Sequence, residues 1–196
     1  MSAAPPQIIL ASSSAYRRAQ LARIGIEAFC VAPDIDELAL AGEPPGALAL
    51  RLAANKAQVV AHRYPQALVI GSDQVAVCGD RIHGKPGTAL AQRVQLAASA
   101  GRELRFLTAV CIVQARSSRE FLHLDTTLCR MRSLDAAEIA RYVAAEPADD
   151  CAGGFKIEGR GILLFDSIVS EDPSALIGLP LIALRRGFEQ LGYPLP

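Results

Sequence analysis

Leu68-Val69-Ile70-Gly71-Ser72-Asp73-Gln74-Val75 is an apolar run broken by one acidic side chain. Short apolar runs bounded by turn-forming residues read as buried strands. A carboxylate on such a strand is costly unless it meets a cation or a hydrogen-bonding network. The next segment, His83-Gly84-Lys85-Pro86-Gly87, carries a lysine in a Gly/Pro turn that cannot continue the strand and so belongs at its mouth. Lys85 is therefore the expected partner of Asp73. A carboxylate and an ammonium at one strand end build an anion-and-metal site, or equally a structural ion pair.

Before this strand, Ile8-Ile9-Leu10-Ala11 reads as a shorter buried strand, followed by Ser12-Ser13-Ser14 and a helical pattern from Ala15 to Arg23 that stops at Gly25. Arg17 and Arg18 then fall in the first helical turn, where free N–H groups and the helix dipole already present positive charge. An anion reverses that penalty, so the serines, the helix start and the arginines form either a phosphate cradle or a solvated surface turn. Glu27–Ala32 reads as a strand leading into Pro33-Asp34-Ile35-Asp36-Glu37, whose carboxylates suit a solvated loop or a cation site. Leu48–Tyr64 has helical spacing, ends before Pro65, and places Lys56 on its polar face.

After the Gly-Lys-Pro turn, Thr88 caps a helix to about Ala100, closed by Gly101. Leu104–Gln114 and Phe121–Met131 form a hairpin, and Ser133 or Asp135 caps a helix through Tyr142. The glycine-rich loop Cys151–Gly161 holds Lys156 and matches neither the P-loop nor the dinucleotide fingerprint. Ile162–Phe165 reads as a strand and Leu179–Leu191 as a helix. Crossover and hairpin spacings along one chain predict an α/β fold with a mixed central sheet flanked by helices.

Of 196 residues 51% are apolar, enough for one substantial core, so a single domain over residues 1–196 is expected. Formal net charge is zero, which gives no electrostatic footprint for duplex nucleic acid or an acidic membrane and points to a small-molecule partner. Five cysteines without a CxxC pair favour a reducing, cytoplasmic setting and no structural zinc. No apolar run has the length of a membrane span, and the amino terminus has no secretory pattern. Lys56, Lys85 and Lys156 are the only lysines among twenty Lys plus Arg, so each marks a position where a point charge was kept over a planar fork, or reflects composition alone.

Leu10-Ala11-Ser12-Ser13-Ser14-Ala15-Tyr16-Arg17-Arg18, Asp34-Ile35-Asp36-Glu37, Asn55-Lys56-Ala57, Gly71-Ser72-Asp73-Gln74, Gly84-Lys85-Pro86 and Gly178-Leu179-Pro180 together resemble, in order and spacing, the Maf nucleoside triphosphate pyrophosphatases. The likeness runs from about residue 7 to 192, with Ala15 where the family usually has proline and Thr108-Ala109 where it usually has Thr-Gly. The resemblance implies an elongated α/β fold, often dimeric, so a homodimer is allowed. It also implies metal-dependent hydrolysis of a nucleoside triphosphate to the monophosphate and pyrophosphate. Carried over by position, the catalytic carboxylate is Asp73. Ser14, Arg17, Lys56 and Lys85 hold the triphosphate, and Glu37 with Asp73 holds a divalent cation such as Mg2+, Mn2+ or Co2+. That division suits a reaction in which catalysis is mainly positioning and charge neutralisation.

Within the family the chain resembles the branch acting on 7-methyl-GTP more than the branch acting on dTTP and UTP, which typically has arginine, threonine and glutamine where Tyr16, Gln74 and Glu158 stand. N7-methylation makes guanine a delocalised cation that suits an aromatic face, although the branch usually has tryptophan in place of Tyr16. A carboxylate at Glu158 can accept two hydrogen bonds from a guanine edge. The family is also associated with division arrest through protein partners, and a pyrimidine-type pyrophosphatase is the other alternative.

Overall fold

Leu68–Cys78 (β3) is buried along nearly its whole length, and its alternate side chains enter separate cores, which only a strand covered on both faces permits. The structure, a computed structural model, describes residues 6–195. Ile8–Leu10 (β1) pairs in parallel with β3 and with Phe29–Cys30 (β2). Arg81–His83 (β4) turns back antiparallel on β3, and Glu103–Gln114 (β5), Arg119–Met131 (β6) and Phe165–Val169 (β7) continue the sheet antiparallel. The order is β2-β1-β3-β5-β6-β7, with β4 beside β3, so the sheet is mixed as expected.

Helix Pro45–Arg63 (α2) covers one face. It buries Leu48, Ala49, Leu52, Ala53, Ala57, Val60 and Ala61 against Ile9, Val69, Val75, Ala109 and Cys111. Ala15–Arg23 (α1) and Leu181–Gln190 (α5) cover the other face, over Leu10, Leu68, Ile70, Val110 and Ile112. Ala89–Ser99 (α3) and Ala136–Ala145 (α4) close the end of the sheet around Phe106, Cys129 and Met131. Asp135 caps α4 with a reciprocal bond to Glu138, and Thr88 caps α3.

Three local expectations need correction. The second strand covers only Phe29–Cys30 of Glu27–Ala32. Residues Arg160–Leu164 form a 3₁₀ turn, and the strand begins at Phe165, three residues later than its apolar run indicates. The cause is local: Gly161 lies so close to the Lys156 backbone that the chain is still folded back on itself there. Helix α2 starts earlier than expected, at Pro45, a residue suited to a first helical turn.

Candidate active site

Alternation along β3 assigns its polar side chains before any ligand is considered. Asp73 shares the face of Val69 and Val75, toward α2, while Ser72 and Gln74 share the face of Ile70, toward the carboxyl-terminal segment. Gly71, one turn of the pleat before Asp73, lets α2 approach: a Cβ there would lie 2.7 Å from Ala57 N. That proximity brings Lys56 to Asp73.

Lys56 Nζ lies 2.7 Å from Asp73 Oδ1 and 2.7 Å from Glu37 Oε1. Lys56, not Lys85, is thus the cation paired with Asp73, which corrects the sequence expectation. Lys56 is also not on a polar face. Buried positions of α2 recur as 48, 49, 52, 53, 56, 57, 60 and 61, and Lys56 occupies the apolar stripe at 5% exposure. The repeat of buried pairs every four residues, with a lysine inside it, was the available signal. Asp73 is buried, and desolvation pushes its carboxyl above the ordinary 3.8, opposed by Lys56 and by Arg17 and reinforced by Glu37.

Helix α1 starts at the same cavity. Ser14 is its N-cap and accepts from Arg17 N, while Ser12 Oγ accepts from Ser14 N and from the Arg17 guanidinium. Arg17 Nε donates to Gly178 O at 2.8 Å, and Ser72 Oγ lies 2.8 Å from that same carbonyl. Gly178, at φ 127°, therefore ties α1 and β3 together, which gives the Gly-Leu-Pro motif a physical role. Burial lowers the Arg17 pKa, Asp73 and Glu37 counter it, and the guanidinium stays charged. Ala15 is the first residue of α1, a position where proline and alanine both fit, and Ala109 is a buried core residue opposite Asp73 in β5.

Gln74 Nε2 faces three acceptors: Thr108 Oγ1 at 3.0 Å, Ala175 O at 3.0 Å and Leu176 O at 3.2 Å. The Thr108 hydroxyl itself donates to Ala175 O, so its oxygen can only accept from Gln74. The amide nitrogen is committed to the protein, and the atom Gln74 keeps for the cavity is its acceptor oxygen.

Ser12, Arg17, Asp73, Gln74 and Gly178 line one cavity of ≈ 660 Å³, a size suited to a small ligand. Arg17, Glu37, Lys56 and Asp73 lie around one part of its wall. Ser14, Tyr16, Gln74, Lys85 and Glu158 line it too, so these nine candidates, far apart in the chain, are brought to one place. Arg18 is exposed and is not among the lining residues. Lys85 and Glu158 are exposed and have no side-chain partner among the described residues. Sequence reasoning missed Asp150 and Cys151, which also line the cavity. Asp150 Oδ2 accepts from the Tyr16 hydroxyl at 3.1 Å, a contact across 134 residues that no local pattern signals.

No cluster of three or more His, Cys, Asp or Glu side chains arranged to cage a metal exists among the described residues. Asp73 and Glu37 each have one oxygen on Lys56 and another without a protein partner among those residues. Two such carboxylates fit a hard cation that also takes ligands from phosphate and water. All five cysteines are free thiols, and no described helix is long and apolar enough to cross a membrane.

The profile of a family described as Maf-like protein matches residues 7–191. A protein of Xanthomonas axonopodis pv. citri named 7-methyl-GTP pyrophosphatase is 53% identical over 191 residues, covering 97% of this chain and 100% of its own. Proteins of the same name from Burkholderia orbicola and Cupriavidus pinatubonensis are 50% and 47% identical, covering 97% and 96% of this chain and 92% and 95% of theirs.

Proposed function

The chain belongs to the Maf family, and we propose that it is a nucleoside triphosphate pyrophosphatase whose substrate is 7-methyl-GTP, cleaved to the monophosphate and pyrophosphate. The observation that carries this reading is Lys56, bound to Asp73 and Glu37 in a cavity that also holds Arg17 and Lys85. Such a set of cations neutralises a triphosphate, and the carboxylates among them serve a nucleophile or a metal.

Arg17, Lys56, Lys85 and the amino terminus of α1, with Ser14, hold the phosphate oxygens. Asp73 orients a water and takes its proton on Oδ2, since Oδ1 is engaged by Lys56. The water oxygen bonds to phosphorus, the bridge between the α- and β-phosphates breaks, and pyrophosphate leaves with the electron pair. Glu37 and Asp73 would hold a divalent cation, Mg2+, Mn2+ or Co2+, which supplies charge neutralisation across the phosphates when bound.

The base lies against Tyr16. The acceptors Gln74 Oε1 and Glu158 face the ring N–H and amino group of a guanine. A uracil or thymine edge, which both donates and accepts, matches two acceptors less well.

Pyrophosphate release from 7-methyl-GTP, GTP, dTTP and UTP with each divalent cation tests the reading. The expected result is pyrophosphate as first product, metal dependence, and the largest kcat/KM for 7-methyl-GTP. Orthophosphate as first product, or preference for UTP or dTTP, overturns it.

A further inference from the structure

Tyrosine is a weaker platform for a cationic base than tryptophan, so the site needs charge recognition from another group. Tyr16 donates its hydroxyl to Asp150 Oδ2 at 3.1 Å, which fixes a carboxylate at the edge of the ring that faces the cavity. The loop carrying it is tied to the turn carrying Lys85, because Gly87 N donates to Asp149 O at 2.8 Å. The ring and its carboxylate already collect positive charge: Lys156 Nζ sits over the Tyr16 ring, 5.8 Å from its centroid, and 3.8 Å from Asp150 Oδ1. The protein's own ammonium thus occupies the environment that a cationic ligand requires, an aromatic ring with an anion at its rim.

We infer that Asp150 is a specificity-determining residue that reads the positive charge of the base, and that Lys156 sets its strength by partly offsetting it. The inference rests on the 7-methyl-GTP reading. Partial desolvation favours the neutral acid, but hydrogen bonds from Cys151 and Tyr16, with Lys156 nearby, hold the Asp150 carboxyl below its ordinary range. It is therefore an anion at neutral pH. Glu158 pairs with the donor edge that guanine and 7-methylguanine share, so its recognition is not confined to the methylated base. Asp150 is engaged with the Tyr16 hydroxyl and not with that edge, so what it reads is the unit charge that the methyl group adds to the ring.

The test compares 7-methyl-GTP with 7-methyl-7-deaza-GTP, which keeps the methyl group and lacks the charge. Asp150→Asn retains an oxygen acceptor for the Tyr16 hydroxyl and removes the charge, together with the acceptor that faces Cys151. It should lower the ratio of kcat/KM between these two substrates by about threefold to fivefold, the scale of a partly exposed charge interaction. Lys156→Met should raise that ratio. Thermal denaturation of both variants establishes that they fold. If both are folded and neither ratio moves, or Asp150→Asn lowers both substrates equally, the inference fails while the 7-methyl-GTP reading stands. Wild-type protein inactive on every 7-methylated nucleotide overturns both.

Discussion

Lys56 and Asp73, 17 residues apart in sequence, meet through a 2.7 Å bond inside the protein, with side-chain exposures of 6% and 11%. The bond joins the helix that covers one face of the sheet to the central strand, and it is both a structural tie and the centre of the proposed chemistry. Breaking a buried pair from one side strands the remaining charge, which is worse than never having had the pair.

Lys56→Met should therefore cost about 3 kcal/mol of stability, the scale for removing one member of a buried pair, and should abolish pyrophosphate release. The double variant Lys56→Met/Asp73→Asn should recover part of the stability and none of the activity. Urea denaturation of the three proteins decides it: a single variant as stable as the wild type would mean that Asp73 finds another partner.

Asp73→Asn keeps the shape of the side chain but removes its charge and basicity. The turnover number should fall by about 10² or more, the usual scale for a lost general base, with the fold retained. Excess chelator should abolish wild-type activity, and excess Mg2+ should restore it. A variant that keeps most of its rate would transfer the catalytic role, with Glu37 the first candidate.

Gly71→Ala should be among the most damaging small substitutions. The added methyl meets the backbone of α2 at Ala53 and Ala57, which cannot yield as a flexible side chain would. Overpacking of this kind costs about 3 kcal/mol, and moving α2 also carries Lys56 away from Asp73. The melting temperature and kcat/KM should fall together. A stable variant with normal activity would show that the helix and strand tolerate separation.

Glu158→Gln should shift preference away from 7-methyl-GTP. An amide facing a ring N–H and amino group can present a donor to a donor, which costs about 1–3 kcal/mol, or about tenfold to a hundredfold in kcat/KM. UTP and dTTP hydrolysis should hold or rise. Equal loss on all substrates would mean that Glu158 supports the loop and does not touch the base.

Asp125, which does not line the cavity, offers a pH test. Its side chain is buried on β6, and desolvation first, then Asp172, push its carboxyl above the ordinary 3.8 while Thr127 opposes them. The native state therefore binds this proton more tightly than the unfolded chain does. The stability this group contributes is full below pH 3.8 and is lost as pH rises through the raised value. Asp125→Asn, which can still accept from Thr127, should melt higher than wild type at pH 7, with the advantage vanishing in acid. A melting curve unchanged at neutral pH would show that Asp125 is solvated.

The sequence alone determined most of the elements and named the candidate residues that the fold gathers around one cavity. The capping serine, threonine and aspartate at positions 14, 88 and 135, the glycines that end helices, and the apolar run at Leu68 act within a few residues of themselves, so they can be read locally. The order and spacing of six short motifs placed Asp73, Lys56, Lys85, Arg17 and Glu37 in one chemistry without any contact being known. Which charge pairs with which was decided elsewhere. Lys85 is the lysine nearest Asp73 in the chain beyond the strand, yet Lys56 holds it, because strand alternation turns Asp73 toward α2 and Gly71 lets that helix come close. The Gln74 amide is oriented by carbonyls about 100 residues away, and Tyr16 meets Asp150 across 134. Local propensity carries no information about such contacts, since they exist only after the sheet has fixed which strand faces and loops share a wall.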